Sequence, residues 1–574
     1  MANPETTAEA DVVVVGSGAG GLAAAIVAAQ SGLKVLVLEK TAFFGGSTAV
    51  SGGAVWIPEN ALMAGVGVTD SREQVMRYLR NTLGNHLRED MIAAFLDNGP
   101  RMLDYMHAHT AVRFAARAVT PDYDSEAGGA ASGGRALDPV PYDAHELGDL
   151  FPLLRPPFAE FMAFGGMMVG RKDVEHLLGT LRSPESFRHS MGLLGRYAID
   201  RLRHPRGTRL LIGNALAARL LRSAADAGVT LWNGSAVTEL VRQNGRVTGL
   251  LARRNGQLLR VAARHAVVLA TGGFAANAED RARLIPHPEL HRSMSPEGNT
   301  GDGIALGVSA GGAVEQHNAN NAFWAPVSVM RRADGSEARF PHLIMDRSRP
   351  GVIAVNSTGR RFTNEALSYH DFVAAMHRAH ETAPSLPSWL VCDAGFLRKY
   401  GLGMARPGPR SYGGLVRAGY LKRGRTVAEL AGAIDVPAAA LEETVARHNG
   451  FAQTGIDLDF GKGSTAYNRY LGDASHKPNP CLGPIARAPF YAVAVWPGDI
   501  GSATGLRTDP QARVTDAQER PIPGLYACGN DMNSIMAGLY PAAGITLGPA
   551  LTFGYVAGRQ IAADARADVA ADAA

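Results

Sequence analysis

The chain has 574 residues, of which 46% are apolar and 19% charged. That composition provides for two or three domains with a large core and excludes bulk disorder. The 57 basic and 53 acidic residues leave a formal charge of +4, too near neutral at this length for a dedicated nucleic-acid binder. Cys392, Cys481 and Cys528 lie far apart with no CxxC pair, so neither a disulfide framework nor a metal site is expected. The N-terminus, MANPETTAEADVVVV, has no basic segment before its apolar run. No signal peptide is therefore expected, and a reducing, cytoplasmic setting is.

Val12 to Val15 is a continuous β-branched run, as a strand buried on both faces requires. Gly16-x-Gly18-x-x-Gly21 follows, spaced by Ser17, Ala19 and Gly20, and then an Ala-rich stretch of helix formers from Leu22 to Gln30. Gly32 ends that helix, and Lys34 to Leu38 forms a second strand closed by Glu39. In this setting Gly16 makes the tight turn, Gly18 admits a pyrophosphate, and Gly21 lets helix and strand pack closely. The helix N-terminus attracts the phosphates, and Glu39 is placed to accept from ribose hydroxyls. The next residues, Lys40 and then FFGGSTAVSGGAVWIP, separate FAD from NAD. Gly46, Ser47, Ser51, Gly52 and Gly53 are small enough for backbone to lie against a large flat ligand. The interleaved Val50, Val55, Trp56 and Ile57 argue against a mere linker.

Residues 74–110 have helical periodicity, and 121–141 form a turn-rich loop carrying Tyr123 and Arg135. Residues 150–170 are apolar but broken by Arg155, Glu160 and three prolines, and their uncharged tail falls far short of the ~20 residues that span a bilayer. Residues 171–209 then hold nine Lys/Arg against four Asp/Glu. Residues 228–263 alternate apolar and polar with turns at Asn233-Gly234 and Asn244-Gly245, which predicts a small antiparallel insert. Two strands ending in glycines, 266–274 and 524–531, read as edges of a cofactor cleft at strand C-termini. Ala236, Val237, Ala270, Thr271, Gly272, Asn299, Asp302, Gly529, Asn530, Gly544 and Leu547 complete the expected cofactor contacts. The fold expected is α/β: a discontinuous, Rossmann-like FAD-binding domain over 1–274 and 491–574, and an α+β catalytic domain over 275–490 that caps it.

These residues also carry a resemblance. VVGSGAGGLAAA, EKTAFFGGSTAVSGG, ATGG, GNTGDGIALG and NSTGRRFTNE resemble the fumarate reductase/succinate dehydrogenase flavoprotein superfamily. Within it, PDYDSEAGG, FTNEALSY, WPGDIG and SIMAGLYPAAGITLGPALTFGYVAGR are similar to the 3-ketosteroid Δ1-dehydrogenases. The resemblance implies non-covalent FAD, since GGSTAVSGG has no histidine where the covalently flavinylated relatives carry one. It implies a 3-ketosteroid substrate and an electron acceptor such as a quinone. Catalytic roles carry over onto Tyr123, Tyr369, Tyr540 and the backbone of Gly544. Oxidation next to a ketone needs a base for the C2 proton, a hydride acceptor for C1 and donors for the enolate oxygen. Tyr369 is the expected base with Tyr123 as its relay, and Tyr540 with Gly544 the expected donors. Arg360 and Arg361 read as a strand-end turn with salt bridges.

Two alternatives share the flavin. One is a Δ4-(5α)-dehydrogenase of the same ketones. The other is a fumarate reductase-like enzyme, disfavoured because NNAFWAPV stands where a carboxylate clamp is normally found. Phe323 and Trp324 in that segment are expected, with Tyr540, to line an apolar substrate pocket. Residues 150–209 are expected to be an insertion that contacts an anionic membrane surface peripherally, with Phe158, Phe161, Phe164, Met167 and Met168 at the interface.

Overall fold

The computed structural model describes residues 6–344, 346–408 and 411–572. Strand Thr6–Val15 runs parallel to Val35–Leu38 on one side and to Gln257–Leu269, from Arg260 onward, on the other. Val12, Val13 and Val14 are fully buried, which is why this strand reads as an unbroken apolar run. Helix Ala19–Gln30 crosses between them, and the C-terminal helix Leu547–Asp572 packs along it. Pro521–Ala527 adds to the far side of Gln257–Leu269, again in parallel. Both ends of the chain therefore meet in one sheet.

The predicted insert at 228–263 is corrected by the pairing. Thr230–Trp232 pairs in parallel with Val35–Leu38, so the Asn233-Gly234 turn does not close a hairpin. Ser235–Gln243, Arg246–Arg254 and Gln257–Leu269 do form an antiparallel meander. The last strand is 13 residues long, long enough for 257–262 to pair with the meander and 267–269 with Pro521–Ala527, while Thr6–Val15 runs alongside it from Arg260 to Leu269. The hairpins thus extend the main sheet.

A second sheet is antiparallel, in the order Glu337–Pro341, Ala322–Arg331, Phe490–Ser502, Ser388–Asp393, Val352–Val355, with Leu421–Gly424 also on Phe490–Ser502. Phe490–Ser502, placed by the sequence reading at the start of the returning cofactor segment, is the hub of this sheet. Its unbroken apolar run from Phe490 to Trp496 carries no signal for which sheet it joins.

The turn after Val352–Val355 carries a buried ion cluster. Arg361 donates to both oxygens of Glu365, at 2.8 and 2.9 Å, and to Asp457 at 3.0 and 2.9 Å. Lys462 Nζ lies 3.4 Å from Glu365 and donates to the Val352 carbonyl. Arg360 pairs with Glu443 outside it. Both arginines are thus structural, as the sequence pattern indicates. The Arg361 and Lys462 charges hold the Glu365 carboxyl far below its ordinary value despite complete burial. Glu365→Gln leaves buried Lys462 without a carboxylate and Arg361 with Asp457 alone, and should cost about 3–5 kcal/mol, read from the denaturation midpoint. Because the folded carboxyl is depressed, its contribution is complete above the ordinary value and is lost on acidification. Wild type should therefore lose more stability than Glu365→Gln between about pH 5 and 3.

Candidate active site

The fingerprint turn opens one long cavity of about 1120 Å³. Gly16 has φ +107°, and a Cβ there would stand 2.1 Å from the Ala270 carbonyl oxygen, so the turn requires glycine. Gly18 and Gly52 line the cavity, and a Cβ on Gly52 would enter open space. Glu39 accepts from Ser17 Oγ at 2.6 Å and from the Thr41 amide at 2.9 Å, which fixes its carboxylate on the cavity wall. Lys40 pairs with Asp302 at 2.7 Å, and both line the same wall. Asn299 bridges Ser47 Oγ and the Gly272 carbonyl, at 2.8 and 3.1 Å.

Of the expected cofactor contacts, Ser17, Ala19, Gly20, Gly46, Ser47, Ser51, Gly53, Val237, Ala270, Thr271, Gly272, Asn299, Gly529, Asn530, Gly544 and Leu547 also line the cavity. Gly21 and Ala236 do not. Gly21 packs against the Gly16 carbonyl, where a Cβ would approach to 2.3 Å, and Ala236 sits opposite Arg253 in the strand ladder. Sequence reasoning missed Asp531. This buried carboxylate accepts from the amides of Thr271 and Gly273, and so ties the two glycine-ended strands together. Burial pushes it up to about 6.

Three tyrosines from distant segments meet at the other end of the cavity. Tyr369 is the first residue of helix Tyr369–His380, whose N-cap Ser368 accepts from the Asp371 amide. Tyr123 comes from the turn-rich loop, and its hydroxyl lies 3.3 Å from that of Tyr369. Tyr540 stacks on Tyr123, with centroids 5.7 Å apart and planes at 14°, and meets Tyr369 edge-on at 5.1 Å. Tyr369 and Tyr540 are buried, and Tyr123 is half-buried on the cavity side. Burial first, then the hydroxyls of Tyr123 and Tyr540, push the Tyr369 phenol well above its ordinary range. Tyr467, which the sequence does not single out, packs on Tyr123 at 4.7 Å.

Gly544 has φ +97°, and a Cβ would lie 2.6 Å from the Trp56 nitrogen. Its carbonyl accepts from Trp56 and Gly548, while its amide donates to no group among the described residues. The same turn is clamped at Pro541, whose carbonyl accepts from the Tyr123 amide at 2.8 Å and the Tyr78 hydroxyl at 2.6 Å. Arg135, fully buried between Asp70 and Asp122, holds the loop that delivers Tyr123.

The pocket wall differs from expectation. Trp324 does not reach the cavity. Its indole donates to Asn320 at 2.9 Å, and its ring lies among His291, His370 and His377. Phe323 supports Tyr540 from behind, edge-on at 5.4 Å, outside the main cavity. Both sit at the start of strand Ala322–Arg331, whose first seven residues are all buried, so their apolar character marks core rather than pocket. The apolar wall comes instead from 157–207, folded as a lid with helices Arg171–Leu178 and Pro184–Asp200. Phe158, Phe161, Met168, Leu177 and Leu194 face Phe340 and Leu343 across the space. The lid is fastened by the Arg332–Glu160 ion pair, by Arg406 donating to the Glu160 and Met162 carbonyls, and by Phe161 on Phe340.

A family model described as an FAD binding domain matches residues 11–547. The chain belongs to this family of FAD-binding flavoproteins. Over its whole length the flavoprotein is similar to two kinds of relative. It is 41% identical, over 97% of this chain and 94% of the other, to 4-oxocyclohex-2-ene-1-carboxylate 5-dehydrogenase of Sinomonas cyclohexanicum. It is 35% identical, over 98% and 99%, to 3-oxosteroid 1-dehydrogenase of Mycolicibacterium smegmatis. The crystal structure of 3-ketosteroid Δ1-dehydrogenase from Sterolibacterium denitrificans, in complex with 1,4-androstadiene-3,17-dione, superposes with a TM-score of 0.89 at 38% identity, covering 97% of this chain and 100% of that one.

The groove fits FAD on its own geometry: a glycine turn at a helix N-terminus, a carboxylate beyond it, and open space where side chains are missing. Neither histidine nor cysteine lines the cavity among the described residues. Acid precipitation should accordingly release all yellow colour into the supernatant; colour held in the pellet would show a covalent bond.

Proposed function

We propose that the chain is an FAD-dependent 3-ketosteroid Δ1-dehydrogenase, with 6–274 and 503–572 forming its cofactor domain. The carrying observation is the group Tyr123, Tyr369, Tyr540 and Gly544 at the end of a flavin groove that opens into an apolar chamber. The Gly544 amide and the Tyr540 hydroxyl donate to the substrate ketone, which acidifies C2 and stabilises the developing enolate. Tyr369 takes the C2 proton, and Tyr123, sharing a hydrogen bond with it, passes that proton on. When bound, FAD supplies the acceptor for the C1 hydride. The C1–C2 double bond forms from the electron pair left at C2.

A second reading, oxidation of an oxocyclohexanecarboxylate, is favoured by the 41% identity to such a dehydrogenase. That substrate needs a cation for its carboxylate. In the wall, Arg117 is held bidentately by Asp138 at 2.8 and 2.6 Å and Lys40 is paired with Asp302, while Arg155 donates to the Thr41 hydroxyl and Arg406 to the lid carbonyls, so these two are the cations such a carboxylate would have to reach. The apolar lid favours the larger, uncharged ring system. Anaerobic bleaching decides. We expect 4-androstene-3,17-dione to bleach the flavin and give a 1,4-diene, with a 5α-3-ketosteroid carrying no C4–C5 double bond giving a 1-ene, and 4-oxocyclohex-2-ene-1-carboxylate, 4-oxocyclohexanecarboxylate and succinate inert. Tyr540→Phe should lose about 10²-fold in kcat with normal FAD content, and Tyr369→Phe should abolish both turnover and solvent exchange at C2. Bleaching by the carboxylate alone would transfer the assignment to the second reading.

The lid also bears on where the enzyme works. Among the described residues no helix is long and apolar enough to cross a membrane. Yet Phe164, Leu181, Phe187, Ile199 and Leu202 are each exposed on the lid, Leu181 at 94%, and Lys172, Arg182, Arg188, Arg201 and Arg203 of the same segment are exposed as well. Met167 and Met168, expected at a membrane interface, are buried instead. This surface fits peripheral binding to anionic lipid next to the chamber, where a poorly soluble ketone would partition. The holoenzyme should pellet with anionic liposomes at low salt, and less so at high salt or as Leu181→Ser/Phe187→Ser. Absence from the pellet under every condition would remove the membrane from the account.

A further inference from the structure

A tyrosine base must carry negative charge in its working form, and the site described so far makes that charge costly. Burial raises the phenols of Tyr369, Tyr123 and Tyr467 together. The structure holds a counterweight on the side away from the cavity. Arg347 is buried, at 2% exposure. Its Nε donates to the His342 carbonyl at 2.8 Å, Nη2 to Leu343 at 3.2 Å, and Nη1 to Glu365 at 2.8 Å and Leu367 at 3.1 Å. The guanidinium lies 4.8 Å over the ring of Phe372. It therefore grips the backbone two residues before Tyr369 and a side chain from the first turn of the same helix.

Every one of those hydrogen bonds goes to a neutral carbonyl, so none cancels the charge. The nearby acids are engaged elsewhere: Asp346 with His342 at 2.6 Å, and Glu365 with Arg361 and Lys462. Among the described residues no carboxylate forms an ion pair with Arg347. Its charge acts on Tyr467 first, then on Asp346, Glu365 and Tyr123. The other groups facing the tyrosine row are Arg117, which favours negative charge on Tyr123; Asp371 and Tyr470, which oppose it on Tyr467; and Tyr540.

We propose that Arg347 is a positioning residue for the base: it anchors the start of the Tyr369 helix and sets a buried positive charge, ion-paired to no carboxylate among the described residues, near Tyr467 and Tyr123, through which it reaches the base. The anchoring fixes where the base stands. The charge, in a low-dielectric surrounding, favours the state in which the row has given up a proton. The inference rests on Tyr369 acting as base in the proposed dehydrogenation.

The test is the pH dependence of flavin reduction by 4-androstene-3,17-dione, measured anaerobically on holoenzyme. In wild type the rate should rise with pH along a limb centred below the ordinary tyrosine value of ~10. Arg347→Gln should move that limb upward by about one unit or more, with the rate recovering at high pH, and Arg347→Lys should restore it. A purely structural role would lower the rate equally at every pH with the limb unmoved, and that result overturns the inference. Should Arg347→Gln fail to retain flavin, wild type still decides: a limb at or above ~10 needs no cation and overturns it, and one below supports it. Failure of the underlying reading looks different, because then no ketosteroid bleaches the flavin at any pH.

Discussion

The turn Tyr540 to Gly544 is the point on which the rest of the site depends. Its backbone is bonded to Trp56, to Tyr123 and to the Tyr78 hydroxyl. Those contacts bring together the glycine-rich cofactor segment, the first long helices, the turn-rich loop and the start of the C-terminal helix. Trp56, Tyr78 and Tyr123 all lie far from this turn in sequence. Closing such loops costs entropy that grows only slowly with their length, so the contacts that repay it must be buried and mutually consistent. The positive φ at Gly544, with no room for a Cβ, is the local cost of the close approach.

Buried charge does much of the aligning. Arg135 bridges Asp70 and Asp122, and Asp122 also accepts from the Trp56 indole at 3.1 Å. The carboxylate therefore specifies how the Tyr123 loop sits against the cofactor segment. On the opposite side Arg361, Glu365, Asp457 and Lys462 lock the turn leading to Tyr369. Buried ion pairs contribute little net stability relative to apolar packing, but losing one partner is severe. Here they act as registration devices: two tyrosines from different layers reach hydrogen-bond distance because each loop has one electrostatically satisfied position.

The lid completes the chamber from a different kind of interaction. It is fastened at Glu160 and Met162 by Arg332 and Arg406 and by a ring contact, and at its other end by buried Arg206 on Asn214 and by the Arg196–Asp143 and Arg209–Asp173 ion pairs. None of these contacts involves the tyrosine cluster. Substrate access and chemistry are in this way assigned to separate parts of the fold.

The sequence by itself determined the dinucleotide unit, because a βαβ turn is local: Val12 to Val15, the glycine spacing and Glu39 lie within one short segment, and each residue's role follows from backbone geometry alone. It also marked the YPAAG turn and the salt-bridged Arg360-Arg361 corner. Only the tertiary structure decided which strands joined which sheet, since the apolar run that opens Phe490–Ser502 suits either sheet. It placed Trp324 in core and moved the pocket wall to Phe158, Phe161 and Met168, because an apolar side chain looks the same in sequence whether it faces core, ligand or lipid. It likewise revealed Asp531, Tyr467 and Arg347, whose significance lies in partners that chain folding alone brings within reach.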